Sequence, residues 1–157
     1  MDKVPMTVKG AETLRLKVKQ LKEVERPQVT RDIEIARAHG DLSENAEYHA
    51  AREKQGWIEA QIRDYESRLS VAEIIDPSKL SGDRVLFGAT VTLLDLDSEN
   101  EITYQIVGTD EAEPKEGRIS VTSPLGRALI GKETGDEVAV QAPGGQRAYS
   151  IEDVRFE

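Results

Sequence analysis

Apolar residues recur at steps of mostly three and four early in the chain: Leu14, Val18, Leu21, Val24, Val29, Ile33 and Ala36. This spacing lines one face of a helix running from Thr7 or Lys9 to about His39. Pro27 interrupts the run, and with the β-branched pair Val29 and Thr30 following it a kink or local break is expected. Gly40 supplies a chain reversal, because glycine takes positive φ at no steric cost. From about Leu42 to Ile74 two seven-residue series overlap: Ala51, Ile58, Tyr65, Ala72, and Tyr48, Gln55, Ile62, Leu69. They predict a coiled-coil seam, with Trp57 covering its edge and Arg52, Glu53, Glu59, Arg63 and Arg68 facing solvent. Two long helices joined by a short turn run antiparallel. Residues 1–75 therefore read as a rod with its tip near 38–46.

Asp76-Pro77-Ser78 ends the rod, since the residue before proline is pushed out of the helical region. The period then changes to two. Arg84–Phe87, Ala89–Leu94, Ile102–Val107 and Arg118–Val121 read as short strands, separated by acidic turns at 95–101 and 109–116. Ser123-Pro124 offers an N-cap and a proline at the first helical position, which predicts a short helix over Ser123–Ile130. Glu137–Gln141 and Ala148–Phe156 pair as a hairpin across Pro143-Gly144-Gly145. The expected fold is multidomain, α followed by α+β: an antiparallel helical hairpin, then residues 76–157 as a small antiparallel sheet with one short helix.

Composition narrows the function. The chain has 157 residues and a net charge of −9, with no cysteine. That excludes disulfides and thiol-based metal or redox chemistry. Residues 1–75 carry 13 Lys+Arg against 14 Asp+Glu, and residues 76–157 carry 8 against 16. Autonomous nucleic-acid binding needs a basic surface, so the acidic second half points to a protein partner. The N-terminus lacks the apolar run of a secretory signal and nothing approaches a membrane span. A cytoplasmic location is expected.

Candidate chemistry sits at the reversal. Asp41-x-x-Glu44 has the spacing of a capping box, in which each side chain satisfies a free amide at a helix start. It also reads as half of a Mg²⁺ site, since that ion takes one or two carboxylates and completes its shell from elsewhere. Autonomous catalysis is disfavoured: His39 and His49 are the only histidines, and no nucleophile sits in a recognisable motif. Tyr48 is either a seam residue or a platform for a base. Arg37 and Arg52, which cluster with Arg31 in sequence or across the turn near the tip, are solvated face residues or, together near an acidic tip, a phosphate or RNA contact.

The run GDLSENAEYHAAREKQG over residues 40–56 resembles the tip signature of the bacterial GreA/GreB transcript cleavage factors. VPMTVKGAETLR, LFGATVTLLDLDSENEITYQIVGTDEAE and ISVTSPLGRALIGKETGDEV resemble the same family. The likeness spans nearly the whole chain, and the modest basic content of the arm suits the GreA branch better. It implies a coiled-coil hairpin followed by an FKBP-like domain. It implies binding to bacterial RNA polymerase, with the hairpin inserted through the secondary channel toward the active centre. There the polymerase's own cleavage of backtracked nascent RNA would be stimulated at the RNA 3′ end. By the same resemblance Asp41 and Glu44 hold a Mg²⁺ shared with the polymerase, Arg37, Arg52 and Tyr48 face RNA, and Ser123 and Pro124 dock on the polymerase. A channel-binding inhibitor of the same architecture, a coiled-coil adaptor and a prolyl isomerase are the rivals. The last is disfavoured because residues 76–157 contain no tryptophan and few aromatics to line a pocket.

Overall fold

The long helix expected before Gly40 is built in pieces. The computed structural model describes residues 3–40 and 45–157. In it, strand β1 (Val4–Thr7) leads into α1 (Val8–Gln20), a π-helical turn over Leu21–Glu25, and α2 (Arg26–Arg37). The interruption expected at Pro27 is this π turn. Arg26 N–H donates to Leu21 O, five residues back. Pro27, near the start of α2, has no N–H to give and its ring would clash with a carbonyl four residues earlier.

The wider turn also corrects the apolar stripe. Leu21 and Val29 are both buried although eight residues apart, whereas Val24 is 51% exposed. Eight residues of ideal α-helix would leave the two about 80° apart. The π turn absorbs about one residue and brings Val29 back onto the face, turning Val24 out.

Helix α3 (Ala46–Ser70) returns antiparallel to α2 and the π turn. Three links step down one helix as they step up the other: Asn45 to Ala36, Glu59 to Arg26 and Glu66 to Lys22. Its seam follows both heptad series. Ala51, Ile58 and Ile62 are buried with Leu21, Val29 and Ile33, and Tyr48 and Tyr65 pack against them. Trp57 does not cover the seam edge; it is 55% exposed. Arg26 brackets Glu59 with two hydrogen bonds of 2.8 Å. Chiefly through its hydrogen bond, Arg26 holds the Glu59 carboxyl below its ordinary pKa.

The expected helical stretch up to Ile74 is cut short. Strand β2 (Ala72–Ile75) follows at once and pairs with β1. The ladder takes the β-branched Ile74 and Ile75 out of the helix, overriding the helical preference of Ala72 and Glu73. The chain accordingly forms two compact units, one spanning Ala11–Ala72 and the other joining the segment that ends at Gly10 to Glu73–Glu157. Residues before Ala11, read from sequence as part of the rod, thus belong with the sheet.

The second unit contains a five-stranded sheet in the order β5-β4-β3-β7-β6. The strands are β3 (Thr90–Asp95), β4 (Glu101–Val107), β5 (Arg118–Ser120), β6 (Glu137–Ala142) and β7 (Gly145–Arg155). The sheet is not wholly antiparallel, because β4 and β5 pair in parallel, Gln105 opposite Arg118. Nor is 84–87 a strand; Arg84 makes one isolated bridge to Glu133. Gly82 and Gly88, both with positive φ, bend the chain on either side of it. Val85, Val91, Leu93, Ile106 and Ile151 form the core with Leu129 of α4 (Pro124–Leu129).

Candidate functional site

The chain leaves the end of α2 through short-range hydrogen bonds. His39 N–H donates to Ala36 O, Gly40 N–H donates to Arg37 O, and Gly40 takes φ +109°. That conformation is the one expected of Gly40. Asp41 and Glu44 lie outside the described residues.

The first described residue after them, Asn45, is the N-cap of α3. Its Oδ1 accepts the Tyr48 amide at 3.0 Å while its Nδ2 donates to Ala36 O at 2.6 Å. One side chain therefore caps the second helix and ties it to the last turn of the first. Sequence alone does not single out Asn45 for this role, because Asp41 and Asn45 are equally good cap types. The signal available was Asn45 immediately before an unbroken run of helix formers.

Arg37 and Tyr48 meet across the reversal. The guanidinium carbon lies 5.9 Å from the Tyr48 ring centroid, a cation–π arrangement. The Tyr48 body is half-buried against the hairpin core, and the His49 ring stands edge-on to it at 5.6 Å. Arg52 follows Tyr48 by four residues, on the same face of α3, and is exposed. Arg37, Tyr48 and Arg52 thus share one side of the hairpin end. His39 Nδ1 lies 3.3 Å from Glu47 Oε2. Among the described residues no group of three or more His, Cys, Asp or Glu side chains could hold a metal.

Ser123 and Pro124 begin α4, as the sequence predicts. The Ser123 hydroxyl accepts the Gly126 amide at 3.1 Å and donates to Ser120 O at 2.6 Å. Its oxygen is committed to capping, whereas Pro124 is exposed. Gly126 lies so close to β5 that a Cβ there would overlap Ser120 O.

A second cap, unnoticed in the sequence, starts α1. Thr7 Oγ1 accepts the Gly10 amide at 3.0 Å and donates to Glu111. The Glu111 carboxylate also accepts the Thr7 and Gly108 amides, each at 3.0 Å. A Cβ on Gly10 would overlap that carboxylate, and one on Gly108 would come within 2.6 Å of Pro5 O.

Comparison with known proteins gives these features a context. Residues 4–74 match the family described as Transcription elongation factor, N-terminal. Residues 80–156 match the family described as Transcription elongation factor, GreA/GreB, C-term. The chain is 60% identical to the transcription elongation factor GreA of Phenylobacterium zucineum over 156 residues, 99% of each chain. Identity to GreA of Rhodospirillum rubrum is also 60% over 99% of each. Among solved structures, the GreA factor homolog 1 protein of Thermus thermophilus is 28% identical with a TM-score of 0.44, covering 98% of this chain and 99% of that one. With both halves matched and such identity over almost its whole length, the chain belongs to the GreA/GreB family of transcription elongation factors.

Proposed function

We propose that this protein binds bacterial RNA polymerase, enters its secondary channel with the hairpin end foremost, and stimulates cleavage of backtracked nascent RNA. Family membership supports the partner. The observation that carries the rest is the antiparallel return of α3 along α2, which brings Arg37 at the end of one helix against Tyr48 at the start of the other, one turn before Arg52. Asp41 and Glu44 fall in the sequence between those two ends. The 25-residue α3 is about 37 Å long, a reach suited to a channel. The polymerase works in the cytoplasm, and no helix among the described residues is long and apolar enough to cross a membrane.

The donor chemistry fits Mg²⁺. Asp41 and Glu44 are hard oxygen donors, too few to make a closed site alone. Together with polymerase carboxylates they would hold the ion, which supplies Lewis-acid activation of water and charge stabilisation at the leaving oxygen. Carboxylates brought next to the polymerase's own acids repel them unless a cation lies between. On this reading Asp41 and Glu44 do no chemistry in the free protein. Asn45 already caps α3, which supports a use for the two acids other than that cap. Arg37 and Arg52 would pair with RNA phosphates, and exposed Pro124 at the start of α4 would touch the polymerase surface.

The test is a cleavage assay on deliberately backtracked polymerase. Asp41→Ala with Glu44→Ala should abolish stimulation while helix content and polymerase binding persist. Full activity in that variant would leave a coiled-coil adaptor. A wild-type chain that binds and slows elongation without cleavage would be a channel-blocking inhibitor.

A further inference from the structure

We propose that Tyr48 is a positioning residue for Arg37, braced by Asn45, and that it does not itself stack on RNA. The inference deepens the function proposed above and rests on it.

A base stacks on an aromatic side chain only where the ring offers an open face. Tyr48 packs its body against the hairpin core of Ile33, Ala51 and their neighbours. The Arg37 guanidinium lies over the ring, and His49 meets it at an interplanar angle of 69°. A base stacking on the face under Arg37 would have to displace it.

The backbone on both sides of this pair is held by one amide. Asn45 bonds to the Tyr48 N–H and to the carbonyl of Ala36, the residue before Arg37. Asn45 therefore ties together the two backbones that carry the arginine and the ring. A solvated arginine otherwise samples many rotamers, and ordering it on binding costs entropy. Holding the guanidinium in place before RNA arrives removes part of that cost.

The experiment is a mutant cycle with the full chain on backtracked polymerase, reading cleavage rate against factor concentration. Loss of an exposed cation–π contact corresponds to about a two- to fivefold change. Tyr48→Phe keeps the ring and should match wild type. Tyr48→Leu should lower cleavage efficiency about two- to fivefold, and should add nothing further in an Arg37→Ala background. Asn45→Asp keeps the cap acceptor but sets an oxygen against Ala36 O. It should show a loss that likewise vanishes without Arg37. If Tyr48→Leu lowers helix content, the cycle is read from Asn45→Asp and Arg37→Ala alone. Losses that multiply in full with Arg37→Ala would overturn the role, as would a folded Tyr48→Leu with wild-type activity. A wild-type chain that stimulates no cleavage would overturn the functional reading beneath it, and with it this role.

Discussion

Replacing Glu111 with alanine is expected to loosen the start of α1 by an amount that the hydrogen bonds allow to be worked out. The carboxylate accepts two backbone amides, those of Thr7 and Gly108, and the Thr7 hydroxyl. Thr7 is only 4% exposed, so its amide cannot turn to bulk water without moving the strand. Each buried donor left unpaired costs about 1–3 kcal/mol. The Thr7 hydroxyl can rotate and keeps its bond from Gly10, so it adds little. Two stranded amides, with water partly filling the space over Gly10, give about 2–4 kcal/mol. Amide hydrogen exchange is the suitable assay, because the loss is local and a global melt would dilute it. Protection at Thr7 and Gly108 should fall about 30- to 700-fold, with the β3–β7 ladder unaffected. Glu111→Gln should lie between and nearer wild type, since the Thr7 and Gly108 amides share one oxygen that the glutamine carbonyl can supply, leaving its amide group to face the Thr7 hydroxyl. A fall in protection below about fivefold in the alanine variant would refute the clasp.

Four further outcomes follow from the packing. Ile58→Ala removes a fully buried seam residue and should cost the hairpin about 2–5 kcal/mol, read as loss of helical ellipticity in urea. The Glu59 carboxyl is held below its ordinary pKa mainly by its hydrogen bond from Arg26. Its stabilisation is complete above the unfolded carboxylate pKa of about 4.3 and is lost as pH falls through the lowered folded value. Glu59→Gln should therefore flatten the acid limb of hairpin stability, and an unchanged limb would contradict the pairing. Gly126→Ala should push α4 off β5 and destabilise the sheet unit by about 3 kcal/mol, visible as a lowered thermal midpoint. Deleting Val24 in a Pro27→Ala background should turn the π turn into ordinary α-helix with Leu21 and the former Val29 still inward. Retained hairpin helicity by circular dichroism would support that account.

The heptad reading of α3 succeeded because burial there depends on side-chain period alone: Tyr48, Ala51, Gln55, Ile58, Ile62, Tyr65 and Leu69 all turn inward. It failed at Ala72, where pairing with a strand almost seventy positions earlier decides the conformation. Val24 was misplaced because a π turn carries no compositional mark; only Pro27 hinted at it. The parallel pairing of β4 with β5 was not legible, since a polar loop from 108 to 117 looks the same whether it closes a hairpin or crosses back. The shared side of Arg37, Tyr48 and Arg52 at the hairpin end rests on a contact between two helices that no spacing shows, whereas the reversal at Gly40 could be read from its residue type. The Asn45 bond to Ala36 could not, because it joins residues nine apart through a carbonyl that every residue type possesses.

The ladder between β1 and β2 makes the hairpin a cassette inserted between two neighbouring strands. A protease nick anywhere along it leaves each fragment hydrogen-bonded to the other at its base. The arm should likewise be exchangeable: excising 11–71 and joining the strands by a short linker offers a route to the sheet unit alone, and longer or shorter arms can be grafted at the same two points.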